Sequence, residues 1–175
     1  MLLPCQEQEA FVDKITDIKS FKKALSSLSL AQQRQVGARF VANVLDLTDG
    51  RCTKQAQSIA EKSDITPEEL EMAYQAVHAV YVTTHPRSHF SELDYAQQAA
   101  HFVAEACMTC VAPTYAEQRT YHLAENAASY CRMARICSSI QHDKEHPSFS
   151  DAEEAMNQEM NAQFDILTEY LKEVT

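Results

Sequence analysis

Three groups of residues in this 175-residue chain have types and spacings that could do chemistry. Cys107-Met108-Thr109-Cys110 is a CxxC, the spacing of a thiol redox pair, or of half a zinc site completed by Cys131 and Cys137. His85-Pro86-Arg87-Ser88-His89 and His142-Asp143-Lys144-Glu145-His146 each place two imidazoles in one short segment. Brought together, four imidazoles and two carboxylates would suit a transition metal such as Zn, Ni or Fe, and neutral His titrates near physiological pH. The third group is acidic: Glu153, Glu154, Glu159, Asp165, Glu169 and Glu173 could present one negative face to a basic protein partner.

These groups depend on helices to position them. Ala, Gln, Glu, Leu and Met abound, and apolar residues recur at spacings of three and four. A short amphipathic segment is expected over 6–28, a longer helix over 30–48 with Val36, Phe40, Val44 and Leu47 on one stripe, and a short one over 51–62. Thr66-Pro67-Glu68-Glu69 has the form of a capping box with Pro at the first helical position, opening a helix that Pro86 ends. Leu70, Ala73, Tyr74, Val77, Val80, Tyr81 and Thr84 form its inward face. Ser91 or Asp94 caps the next helix, to about Pro113, and a long helix follows over 114–141. Ser150-Asp151-Ala152-Glu153 repeats the capping pattern and opens a final helix with Met156, Met160, Phe164, Leu167, Tyr170, Leu171 and Val174 on its stripe. Short connections make neighbouring helices antiparallel. The expectation is an all-α, single-domain, up-and-down antiparallel bundle of about six to seven helices, with residues 1–28 as a peripheral segment.

That framework already weighs the chemistry. At about 100° per residue, Cys107 and Cys110 fall inside an arc of Tyr95, Ala96, Ala99, Ala100, Val103, Ala104 and Val111, so both thiols point into the core. Cys131 and Cys137 diverge by about 120° and do not converge on one metal. If the last four helices alternate, the His85–His89 and His142–His146 loops share one pole, and those four histidines are the candidate metal ligands. His101 with Glu105, and His122 with Glu125, reverse the Glu-x-x-His order of carboxylate-bridged metal bundles, so surface hydrogen bonding is their expected role.

Composition removes several function classes. The net charge is −10, which opposes binding to nucleic acid through phosphate neutralisation. The charge is uneven: residues 1–62 carry +2, residues 63–142 carry −5 and residues 143–175 carry −7. No apolar run is long enough to cross a membrane, and the first residues lack the basic and apolar regions of a secretory signal, so a cytoplasmic location is expected. Six cysteines in such a chain do not imply a disulfide framework. Only two glycines argue against hairpin-rich folds and glycine-rich phosphate loops, and there is no nucleophile elbow, HExxH or dinucleotide fingerprint.

Two resemblances add to this reading. A CxxC on a buried helix resembles the AhpD-like peroxidase and carboxymuconolactone decarboxylase group, whose members carry His four residues later and Glu three turns earlier. Here Thr114 stands four residues after Cys110, no Glu stands upstream at that spacing, and only the CxxC matches. The order of helices resembles an all-helical immunity protein family of bacterial polymorphic toxin systems. The matching stretches are Ala38-Arg39-Phe40-Val41-Ala42-Asn43-Val44-Leu45, Arg51-Cys52-Thr53-Lys54-Gln55-Ala56, Ala76-Val77-His78-Ala79, Ala99-Ala100-His101-Phe102-Val103-Ala104 and Glu159-Met160-Asn161-Ala162-Gln163-Phe164-Asp165-Ile166-Leu167. The Trp residues of that family's opening and closing helices are absent, since the chain has none. The resemblance implies protection by binding a toxin's effector domain, and no catalytic residues. The first expectation is therefore a non-enzymatic interaction protein with a basic partner and no resident cofactor. The alternatives are a metal-binding protein using the His-rich pole and a thiol redox protein using Cys107 and Cys110. Homodimerisation through an Ala-rich helix face is compatible with the same pattern.

Overall fold

Local capping sets where the helices begin. The computed structural model describes residues 13–85, 94–142 and 149–175, with only the backbone of Gln141 and His142. Asp17 accepts hydrogen bonds from the Lys19 and Ser20 amides (2.8 and 2.9 Å) and opens α1 (Ile18–Ser27). A capping box that the sequence reading passes over, Ser29 with Gln32, opens α2 (Leu30–Ala42). A 3-10 turn over Leu45–Leu47 follows, and then α3 (Arg51–Ala60). The expected Thr66–Glu69 box is present in both directions (3.0 and 3.1 Å), with Pro67 as the first residue of α4 (Pro67–Thr84). Thr66→Ala removes an acceptor from the first turn and is expected to cost about 1 kcal/mol, read from the urea midpoint. Asp94 caps α5 (Tyr95–Cys110) through the Gln97 amide.

The expected long helix over 114–141 is two. A single turn, α6 (Glu117–Thr120), is separated from α7 (Leu123–His142) by His122, which adopts φ 50°. A left-handed residue without glycine redirects the chain there, and Asn126 Nδ2 holds the bend by donating to Tyr121 O (2.9 Å). The last helix, α8 (Phe149–Val174), begins one residue before the expected Ser150 cap. Among the described residues the structure is eight α-helices and one 3-10 turn, with no strand.

Side-chain ties give the directions. Arg132 and Arg135 of α7 reach Gln163 and Glu159 of α8, so these helices are antiparallel. Thr84 meets His101 while Glu71 meets Tyr115, so α4 and α5 are antiparallel as well. By contrast α2 runs the same way as α7: Gln33 accepts from the Ala124 amide and the Asn43 carbonyl accepts from Arg135. The core spans all the long helices, with Phe40, Met108, Leu123, Leu167 and Tyr170 among its larger buried side chains. Phe21 of α1 packs its ring 5.8 Å from Phe40 and 5.3 Å from Phe164, and Ile15 N donates to Thr168 Oγ1 (3.1 Å). Ile15, Phe21, Leu25 and Leu28 thus join the core, while most of the rest of this segment faces outward.

Where α2 crosses α5 and α7 the packing is tight. A Cβ on Gly37 would lie 3.0 Å from Cys110 Sγ, 3.5 Å from Leu123 and 3.6 Å from Ala127. Glycine is used there for close approach of the helices, at the cost of helix propensity.

Candidate functional site

The six acids of α8 divide by helical phase. Glu159 lies on the arc of Gln163, Leu167 and Tyr170, and it is 3% exposed. Its carboxylate accepts from Asn43 Nδ2 (2.8 Å), Gln163 Nε2 (3.1 Å) and Arg135 Nε (3.4 Å). Burial pushes its carboxyl above the usual carboxylate range, against these donors. Glu159 is therefore an internal bridge between α2, α7 and α8, which corrects its expected place on a partner-facing surface. Glu173 is exposed but tied to α2: Arg39 forks onto it through Nη1 and Nη2 (2.9 and 2.6 Å) while lying over the Tyr170 ring. The remaining acids, Glu153, Glu154, Asp165 and Glu169, are exposed. Asp165 meets Lys14 at 3.4 Å and Glu169 meets Lys172 at 2.7 Å, and both partners of each pair are largely solvated. Such pairs contribute little to stability and exchange readily for other cations.

The histidine pole is only partly described. His89 and His146 lie outside the described residues, and His142 is described as the last backbone position of α7. His85 is exposed at the end of α4, with its ring edge-on to His101 at 5.2 Å and to Tyr81 at 6.1 Å. Among the described residues no group of three His, Cys, Asp or Glu converges as a metal site.

His101 and Glu105 depart from the surface role expected of them: both are 9% exposed. Their face of α5 is covered by α4 and by the α6–α7 region. His101 stacks on Tyr81 (4.6 Å) with Nδ1 against Thr84 Oγ1 (3.2 Å), and Arg119 Nη1 donates to Glu105 (2.8 Å). Burial, then the nearby His85, lowers the pKa of His101. Because folding favours its neutral form, the stability it contributes is complete above about pH 6.5, the unfolded value, and is lost as pH falls through the folded value. His101→Phe should therefore shrink the drop in Tm between pH 7.5 and 5.5, as followed by circular dichroism.

The thiols are internal. Cys107, Cys110 and Cys131 are fully buried, and Cys107 Sγ contacts the Thr53 carbonyl at 3.4 Å. Burial pushes Cys110 up to about 12 and Cys107 and Cys131 well above their ordinary value, the reverse of an activated thiolate. Cys52 is exposed. Maleimide labelling of the native protein should modify Cys52 and spare Cys107, Cys110 and Cys131 until the chain is unfolded; mass spectrometry of peptides reads the difference.

Comparison of the chain with protein-family models, with curated proteins and with solved structures finds no match.

Proposed function

We propose that this chain is a non-enzymatic helical interaction protein, of the immunity or antitoxin kind, that meets a basic protein partner through the outer face of α8. The observation that carries this reading is the division of acids within α8. Glu159 is held inside by three donors and Glu173 is forked by Arg39. Glu153, Glu154, Asp165 and Glu169 are exposed, Glu154 accepting from Gln158 Nε2 and the latter two in solvated ion pairs. Glu154, Asp165 and Glu169 fall within about 60° of one another around the helix axis, with about three turns between Glu154 and Asp165 and with Lys172 in the same sector. Complementary charge of this type raises association rate and selects partners more than it adds affinity.

The test uses a lysine-rich peptide as the basic probe, with association followed by stopped-flow fluorescence at low salt. Replacing Glu154, Asp165 and Glu169 by Gln, Asn and Gln should slow association several-fold. A control carrying the same charge change at Asp64, Glu68 and Glu117, all exposed and off α8, should slow it much less. Equal slowing in the two variants would mean that net charge, and not this face, governs the encounter.

A further inference from the structure

α4 packs on α3 and α5 and buries Leu70, Ala73 and Val77. Its opposite side carries Met72, Gln75, Ala76, Ala79, Val82 and Thr83, all exposed and all within about 120° of arc. Met72 is 73% exposed and Val82 56%. An outward helix face is ordinarily charged. This one is not: from Met72 to Thr84 there is no Asp, Glu, Lys or Arg, and Gln75 turns its amide back onto Glu71 (2.9 Å). The uncharged surface continues past Met72 to the mouth of a cavity of about 700 Å³, where Leu30 and the Tyr115 ring are also exposed.

The pattern along this face fits a second copy of itself. Met72 and Val82 stand five residues to either side of Val77, about 15 Å apart, with the small Ala76 and Ala79 between them. A twofold axis opposite Val77 sets Met72 of one protomer against Val82 of the partner subunit at both ends. The alanines then meet at the crossing, where small side chains allow the closest approach of two helices. The same axis carries Val82 of the partner subunit toward the open cavity mouth beside Met72.

Charge fixes the direction. The acids of α4 are confined to its first turns, at Glu68, Glu69 and Glu71, and His85 caps its other end. Parallel pairing would put two acidic clusters side by side, a costly juxtaposition. Antiparallel pairing places each cluster beside the imidazole at the partner's helix end and opposes the two macrodipoles. The stretch from Met72 to Thr84 offers no carboxylate to the basic partner proposed for α8. We propose that the protein forms a homodimer by antiparallel packing of this face of α4 on its copy. One helix face and a cavity rim make a contact at the small end of specific interfaces, roughly 1,000 Å² in total, so the dimer should dissociate in the micromolar range.

Sedimentation equilibrium of the full chain over the micromolar range tests this, with a reductant present to keep the exposed Cys52 from crosslinking. It should show a monomer–dimer equilibrium that high salt does not weaken. Ala79→Arg, at an exposed position, should keep the circular dichroism spectrum and weaken the dimer at least tenfold. Val82→Arg serves if that variant disturbs the helix. Ser26→Arg, exposed on α1, should leave dimerisation as it is. For the direction, Met72→Cys and Val82→Cys chains in a Cys5→Ser, Cys52→Ser background are oxidised separately and mixed; the mixture should give the linked pair and neither chain alone should. A monomer throughout the concentration range, or a dimer that both arginine variants on α4 leave intact, would overturn the proposal. Linkage of Met72→Cys chains to one another would overturn the antiparallel register.

Discussion

Glu159→Ala should destabilise the protein by roughly 3 kcal/mol, a large share of the stability of a domain this size. Three donors converge on this carboxylate inside the α2–α7–α8 junction; truncation removes the acceptor of Asn43 Nδ2 and leaves Gln163 Nε2 with the Ala128 carbonyl alone. Arg135 keeps Asp46, through Nη1 and Nη2 at 2.8 Å each, and the Asn43 carbonyl, so the loss stays near the lower end of what breaking a buried pair costs. Glu159→Gln should lose less, since one acceptor oxygen remains. The two forms should also respond differently to pH. Burial raises the Glu159 carboxyl above its unfolded value, so its favourable contribution is complete below about pH 4.3 and is lost as pH rises through the folded value. The unaltered protein should therefore gain on the Gln variant as pH falls from 7 toward 4.5. Urea denaturation at both pH values reads this; a gap that widens against the unaltered protein at low pH would show that Arg135, rather than burial, dominates the site.

Gly37→Val should be the second large effect, a loss of about 2–3 kcal/mol. The added branch must enter the space where Cys110, Leu123 and Ala127 already stand 3.0–3.6 Å from a Cβ position. Gly37→Ala is the informative companion. It gains up to about 1 kcal/mol of helix propensity but must push the Cys110 thiol by a few tenths of an ångström, so it should come out near neutral. In a Cys110→Ala background that clash is gone and the propensity gain should reappear, giving a coupling between the two sites. Additivity of the two changes would contradict the close contact of α2 with α5.

Much of the fold was legible because it is written in local chemistry. The Thr66–Glu69 box, Pro67 and the Asp94 cap mark helix starts with side chains that act within three residues. The inward phase of Cys107 and Cys110 followed from the alanines around them. The division between α6 and α7 was hidden, because the left-handed residue at 122 is a histidine and no glycine or proline marks the bend. His101 and Glu105 read as a polar face because sequence does not show that α4 and Arg119 cover it.

The polar residues of most consequence share one overlooked signal. Arg34, which donates from α2 to the Cys110 carbonyl (2.8 Å), keeps the spacing of Ala38 and Val41, and Glu159 keeps that of Gln163, Leu167 and Tyr170. A charged residue in phase with an apolar stripe is either an internal bridge or a binding group. Which of the two depends on partners more than a hundred residues away, as Asn43 is from Glu159, and periodicity carries no information about those. The outer acids of α8 were legible as a group, whereas their separation from Glu159 and Glu173 needed the packed helices.

Backbone amide shifts followed during titration with the lysine-rich peptide at low salt locate the surface that a basic partner meets. Shifts should concentrate along the exposed face from Glu154 to Glu169 and fade as salt screens the contact. Shifts spread evenly over the acidic residues of α4, α6 and α8 would contradict it, showing a charged protein without a dedicated face.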